Sequence, residues 1–183
     1  VENFSEGFTS VTIKGKKGFV SFSGDWIAAP MYDDGKNFSA GLAPLSQSGK
    51  YGYIDKSGNF VIPMQFNNAL EFDVASGLAC VATAGKWGII NTSGTTVIPM
   101  EFDKVEICTD GYVYVEKNGK CGIYSHRGKV IFEPVCDSIE RLKGGKLFRH
   151  GVANARLNGN RIKIDEYGNI IHQYTMLTDV QPK

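Results

Sequence analysis

Long apolar runs and an excess of charge of one sign are both missing from this sequence. The most apolar stretch, Val74–Ala84, is interrupted by Ser76 and Gly77 and is much shorter than the roughly 20 residues that span a bilayer. The 20 basic and 19 acidic side chains nearly cancel, whereas general nucleic-acid binders usually carry a basic excess. We therefore expect neither membrane insertion nor nucleic-acid binding.

Cysteine and histidine are scarce, and their spacing does not match the usual reactive patterns. The four cysteines show no CxxC or metal-type spacing, which favours free structural thiols over disulfides. None of the three histidines has a partner at metal-ligand spacing, and no Ser/His/Asp set can be assembled. The sequence therefore predicts no catalytic residue, no metal site and no cofactor.

Glycine, in contrast, recurs in three columns that share one register. The first column is Gly7, Gly41, Gly77, Gly111 and Gly151. The second is Gly15, Gly49, Gly85, Gly119 and Gly159, and the third is Gly24, Gly58, Gly94, Gly128 and Gly168. All three have successive spacings of 34, 36, 34 and 40 residues, and such a period is typical of a repeat protein.

We therefore predict a single repeat domain over 1–183 with five tandem copies. The copies are placed at 4–37, 38–73, 74–108, 109–142 and 147–183. The last copy is degenerate, as expected of a terminal cap that presents a wettable face.

Each copy predicts a meander of three strands. Alternating apolar residues follow the first glycine, and dipeptides such as Asn118-Gly119 favour a tight type I′ hairpin. A short β-branched strand such as Val97-Ile98 then stops at a proline. One short helix is expected, over Asp137–Leu142. The chain is thus predicted to be all-β, in an open solenoid-like array of meanders, with a five-bladed propeller as the alternative.

These columns resemble the bacterial WG-repeat family, also called KWG repeats. Lys86-Trp87-Gly88, followed by Val97-Ile98-Pro99 and Phe102-Asp103, matches the whole motif, and Lys50-Tyr51-Gly52 opens a copy with conservative changes. The resemblance covers about Phe4 to Ile171.

Three copies depart from the motif at the tryptophan position. Lys17 and Cys121 replace it in the first and fourth copies, and Arg161-Ile162 replaces the whole step in the fifth. The resemblance implies an interaction scaffold without shared catalytic residues.

Four residues are candidates for a binding surface: Tyr51, Trp87, Lys50 and Lys86. The two rings could stack on a sugar or a peptide, although recurrence at a fixed position also fits packing between copies. The lysine column is completed by Lys16 and Lys120. A row of ammonium groups could guide an acidic partner, and lysine at a hairpin also protects a strand edge.

We therefore expect a non-catalytic module that binds a protein or peptide or acts as a scaffold, including by addition of an extended peptide to a strand edge. The alternative is a carbohydrate-binding module in which Trp26 joins Tyr51 and Trp87 as a stacking platform. Val1–Ser5 reads as the tail of a preceding unit, so we expect a chain truncated at its start. Both a cytoplasmic and an exported location stay open.

Overall fold

The computed structural model describes residues 4–174, and every regular element in that range is a β-strand. Nineteen strands form five open antiparallel sheets in tandem, and none of these sheets closes into a barrel. This confirms the all-β prediction of tandem meanders. The chain divides into two compact units, the first ending at Val105 and the second beginning at Glu106. The expected truncation before Val1 and the end of the last copy, 175–183, lie outside the described residues.

The first unit contains three sheets, each built from strands that are consecutive in the chain. The first sheet is β1 (Phe8–Ile13), β2 (Lys16–Ser21) and β3 (Trp26–Tyr32). The second is β4 (Asp34–Gly35), β5 (Ala43–Gln47), β6 (Lys50–Ile54) and β7 (Phe60–Phe66). The third is β8 (Asn68–Ala69), β9 (Leu78–Thr83), β10 (Lys86–Asn91) and β11 (Thr96–Phe102).

The two remaining sheets follow the same plan. The fourth, which starts at the boundary of the two units, is β12 (Lys104–Ile107), β13 (Tyr112–Lys117), β14 (Lys120–Ser125) and β15 (Val130–Cys136). The fifth is β16 (Ser138–Ile139), β17 (Val152–Leu157), β18 (Asn160–Asp165) and β19 (Ile170–Tyr174).

The structure adds a short strand to each meander after the first. The chain leaves β3 and pairs at once with the next sheet, where the Asp33 amide donates to the Ser46 carbonyl at 2.9 Å. Asp34 and Gly35 then lie opposite Ser46 and Leu45 as β4. Four of the five sheets therefore have four strands, because the corner that closes one meander also forms the edge of the next.

The same corner explains why the predicted helix over Asp137–Leu142 is wrong. The Asp137 amide donates to the Arg156 carbonyl at 2.8 Å, which places the following residues beside β17. Ser138 and Ile139 form β16. Pairing to an existing strand satisfies these backbone groups better than one isolated helical turn.

The second glycine column forms two-residue hairpin turns, as predicted. Ala84 and Gly85 have φ values of 51° and 77°, the left-handed conformation that a type I′ turn requires at both positions. The residue before the glycine has a positive φ in all five copies, namely Lys14, Ser48, Ala84, Asn118 and Asn158.

Within each unit, the apolar core lies between the sheets of consecutive copies. In the first unit, Phe19 of β2 packs with Leu45 and Ile54 of the next sheet. Tyr53 of that sheet packs in turn with Val81 and Ile90 of the third. Because neighbouring residues of a strand face opposite ways, the second sheet buries both of its faces.

The second unit repeats this packing between its own two sheets. Tyr114 and Ile123 of the fourth sheet contact Ala155 and Ile162 of the fifth. Aromatic residues just before the first glycine column also enter these clusters, namely Phe38, Phe72 and Phe148.

The four cysteines belong to the packed interior. They are free thiols and all are buried. Cys121 and Cys136 lie directly opposite each other on β14 and β15. Burial raises the pKa of Cys108 and that of Cys136 to about 11, so both thiols are protonated at neutral pH and are poor nucleophiles.

Candidate binding surfaces

Most of the lysine column is held in ion pairs within its own copy. Lys16, at the start of β2, lies 2.5 Å from Asp33, which closes the same meander. The pairs of Lys86 with Asp103 and of Lys120 with Asp137 have the same 2.5 Å distance. Three of the four ammonium groups are therefore already neutralised by a carboxylate 17 residues further along the chain.

The closing aspartates also hold the hairpin of the following copy. The second carboxylate oxygen of Asp33 accepts the Ser48 amide at 2.7 Å, and that of Asp137 accepts the Gly159 amide at 2.8 Å. The hydrogen bond from Lys16 holds the pKa of Asp33 below its usual range. Each of these carboxylates thus connects a lysine in its own copy to a turn in the next.

Lys50 differs from the other members of the column because Asn67 stands at the closing position of its copy. The Asn67 side-chain oxygen still accepts the Ala84 amide at 3.0 Å, so the contact to the next hairpin is kept. No carboxylate is left to pair with the lysine. Within residues 4–174, Lys50 forms no ion pair.

Substitution Asn67→Asp should supply the missing carboxylate. We expect the variant to be more stable by up to about 1 kcal/mol, the usual upper value for an exposed ion pair, because the Ala84 bond is retained and a Lys50 pair is added. Urea unfolding followed by tryptophan fluorescence measures this, since Trp26 and Trp87 both lie in the first unit.

The gain should depend on pH in a defined direction. A carboxyl whose pKa is lowered by a lysine, as in Asp33, contributes stability above its ordinary pKa of 3.8 and loses it as the pH falls through the lowered value. Equal stability of Asn67→Asp and the parent chain at pH 7 would contradict the pairing.

Tyr51 is half-buried and hydrogen-bonded within the first unit. Its hydroxyl donates to Asp34 at 2.6 Å, and the Lys36 ammonium lies 5.8 Å from the ring centroid. Burial, followed by the bond to Asp34, raises the pKa of the Tyr51 hydroxyl. The ring therefore has a structural role, although part of its surface faces solvent beside Lys50.

Trp87 is half-buried between two strands, opposite Ala82 of β9 and Phe102 of β11. The glycine after it is needed for backbone packing. A Cβ atom on Gly88 would lie 2.5 Å from the Ile98 carbonyl oxygen, because β11 bulges across this point. Gly52 has the same 2.5 Å approach to Ile62. A close backbone crossing therefore explains the glycine of this step.

The fifth sheet carries a cationic face that sequence reasoning missed. Arg161 lies opposite Arg156 and Tyr174, and Lys163 lies opposite Asn154. These side chains line an open cavity of about 600 Å³. The equivalent positions of the third sheet hold Cys80, Ala82, Trp87 and Ile89, of which all but the half-buried Trp87 are buried. The polar substitutions were visible in the sequence, but only strand register shows that they share a face.

Among the residues that the structure describes, no three His, Cys, Asp or Glu side chains come together in a way that could hold a metal ion. Residues 4–174 also contain no helix with the length and apolar character needed to cross a membrane.

Comparison with known sequences gives three adjoining family matches. The profile of the WG containing repeat matches residues 18–51, 51–87 and 87–121, which together exceed half of the 183 residues. A search of curated proteins finds no match.

Solved structures resemble the chain at low sequence identity. A eukaryotic initiation factor is 11% identical with a TM-score of 0.51 over 91% of this chain and 50% of its own. Hsv2 of Kluyveromyces lactis is 8% identical with a TM-score of 0.45, over 92% and 60%. A Bacteroides caccae protein of unknown function is 13% identical with a TM-score of 0.36, over 91% and 72%. The chain thus spans half to three fifths of the first two, and the likeness to the initiation factor concerns the fold alone.

Proposed function

Because the chain belongs to the family of WG-containing repeats, we propose that it is a non-catalytic module that binds another protein or peptide. The observation that carries this proposal is the charge of Lys50, which has no ion pair within residues 4–174. Its three sister lysines are paired with aspartates at 2.5 Å, whereas Asn67 leaves Lys50 available. An acidic group of a partner can therefore pair with Lys50 where the other copies use their own carboxylate.

The surroundings of Lys50 favour a macromolecular partner over a small substrate. Tyr51, next in the chain, adds half-exposed aromatic surface, and aromatic rings are enriched at protein interfaces. Trp87 occupies the position of Tyr51 in the following copy and is also half-buried, so a partner that follows the repeats meets a second aromatic ring.

Carbohydrate binding through Tyr51, Trp87 and Trp26 is the alternative. The Tyr51 hydroxyl is already occupied by Asp34 and Lys36 lies over its ring, which leaves less of this residue for a sugar. A glycan array combined with tryptophan fluorescence separates the two functions. Saturable binding of a glycan would support the carbohydrate alternative and contradict the proposal.

The proposal is tested by affinity capture from a lysate of the source organism, with the captured proteins identified by mass spectrometry. The parent chain is compared with Asn67→Asp, which neutralises Lys50 without altering it, and with Lys50→Gln. We expect one enriched protein whose recovery falls at least fivefold on both variants and at high salt. The matched control is Lys120→Gln, which removes a lysine that is already paired with Asp137 and should leave recovery unchanged. Equal recovery on all four chains, or no enriched protein at low salt, would overturn the proposal.

A further inference from the structure

The last strand, β19, lacks the proline and one of the two bulges that protect the other closing strands from pairing. Proline lies within each of β3, β7, β11 and β15, at Pro30, Pro63, Pro99 and Pro134. The partner register of those strands is also shifted at two points, whereas that of β19 is shifted at one point, between Lys163 and Ile164. Prolines and bulges are two ways in which proteins block an exposed sheet edge.

In β19 the backbone is regular over most of its length. Arg161, Ile162 and Lys163 of β18 pair in uninterrupted register with Tyr174, Gln173 and His172. Within the described part of the chain β19 is the edge of its sheet, and all five of its residues are exposed. Such an edge presents a row of backbone donors and acceptors to an added strand.

The two faces beside this edge differ in chemistry. One is the cationic face, where Arg156, Arg161 and Lys163 line the cavity of about 600 Å³. The cavity is also lined by Glu140, whose carboxylate accepts a hydrogen bond from the Asn154 side chain at 2.8 Å. On the other side Ile162 and Ile164 are buried, while Ile170 and Ile171 of β19 remain 43% and 51% exposed.

We infer that β19 binds an extended peptide as an additional strand whose side chains alternate between acidic and apolar. Successive residues of a strand point to opposite faces, so acidic residues would lie on the face of Arg161 and Lys163, beside Tyr174 and His172 of β19, while apolar residues cover Ile170. Arginine adds geometric selectivity because its guanidinium pairs with a carboxylate through two hydrogen bonds. This inference rests on the proposed function and names the partner's chemistry at a second surface, in the other unit.

Fluorescence anisotropy of a labelled Glu-Val-Glu-Val-Glu-Val-Glu peptide tests the charge requirement. We expect saturable binding to the full chain that weakens as salt is raised, and at least tenfold weaker binding of the matched Lys/Val peptide. The double variant Arg161→Glu and Lys163→Glu, checked for folding by circular dichroism, should reverse this preference. Equal binding of the two peptides would overturn the inference.

The strand requirement is tested with two N-methylated forms of the Glu/Val peptide, one methylated on the glutamates and one on the valines. Only alternate amides of an added strand face its neighbour, so one form should lose at least tenfold in affinity and the other much less. If both forms bind like the parent peptide, strand addition is wrong. Partner capture that still depends on Lys50 would in that case leave the proposed function standing.

Discussion

Replacement of Gly58 by alanine is expected to destabilise the first unit more than any other single methyl addition in its turns. Gly58 has a φ of +83°, and an added Cβ would lie 2.2 Å from the Ile27 carbonyl oxygen in β3. Left-handed backbone costs an alanine about 1–2 kcal/mol, and overpacking against rigid backbone adds about 1–3 kcal/mol. The sum of about 2–5 kcal/mol is a large part of the stability of a domain.

Gly24→Ala is the matched control. Gly24 occupies the same turn of the first copy with a φ of +91°, but nothing lies within 4 Å of an added Cβ. The Gly24→Ala variant should lose only the cost of placing alanine in left-handed backbone, about 1–2 kcal/mol of unfolding free energy. Urea unfolding followed by tryptophan fluorescence compares the two variants. Equal losses would show that the contact of this turn with the preceding copy carries no energy.

Two glycines of the third column, Gly58 and Gly168, lie against the backbone of the preceding copy. The equivalent glycine of the last copy, Gly168, would place a Cβ 1.9 Å from the Ile131 carbonyl oxygen, so the turn packs on the preceding copy in both units. Gly58 and Gly168 are therefore required for two reasons, their φ and the closeness of the neighbouring backbone. The contact with the preceding copy could not be read from the sequence.

The parts of the fold that depend on local chemistry could be predicted from the sequence. Asn118-Gly119 specifies its hairpin through its own φ preferences, and the repeated glycines fixed the register of every copy. The short strand Asp34–Gly35 was not predictable in the same way. It has only two residues, and it forms because its neighbour β5 is already in place.

The candidate surfaces required three-dimensional information. The lysine column could be read from the sequence, but its meaning depends on a partner 17 residues away, and only that pairing distinguishes Lys50 from Lys16. The cationic face of the fifth sheet combines residues of different strands, such as Arg156 and Arg161. Aligned columns show that these positions are substituted, whereas cross-strand register shows that they are neighbours.

Replacement of Gly88 by alanine should be the second large effect, and its cause is purely steric. The φ of Gly88 lies outside the left-handed region, so alanine is conformationally acceptable. An added Cβ would nevertheless meet three backbone atoms of β11, the Ile98 oxygen, the Met100 nitrogen and the Pro99 carbon, at 2.5, 2.8 and 2.8 Å. We expect a loss of about 2–4 kcal/mol in urea unfolding, at or above the usual range for overpacking.

Gly35→Ala is the matched control, because its φ is also outside the left-handed region and its nearest neighbour is the Cδ1 atom of Leu45, at 2.9 Å. A side chain can turn away from a new methyl group, so this variant should lose about 1 kcal/mol. A loss as large as that of Gly88→Ala would mean that buried methyl groups of any kind, and not the backbone crossing, set the cost.

The fifth copy shows what happens when this glycine is absent. Ile162 stands at the position of Gly88, and there β18 and β19 pair residue for residue, from Arg161 with Tyr174 to Lys163 with His172. In the third copy, Trp87 pairs with Phe102 and Ile89 with Ile98, so β11 uses two additional residues. Deletion of Pro99 and Met100 should therefore reduce the cost of Gly88→Ala, and the difference between the two backgrounds measures the coupling. An undiminished cost in the deletion background would show that the glycine and the bulge are independent. The absence of this glycine would then not explain the regular pairing of Arg161–Lys163 with β19.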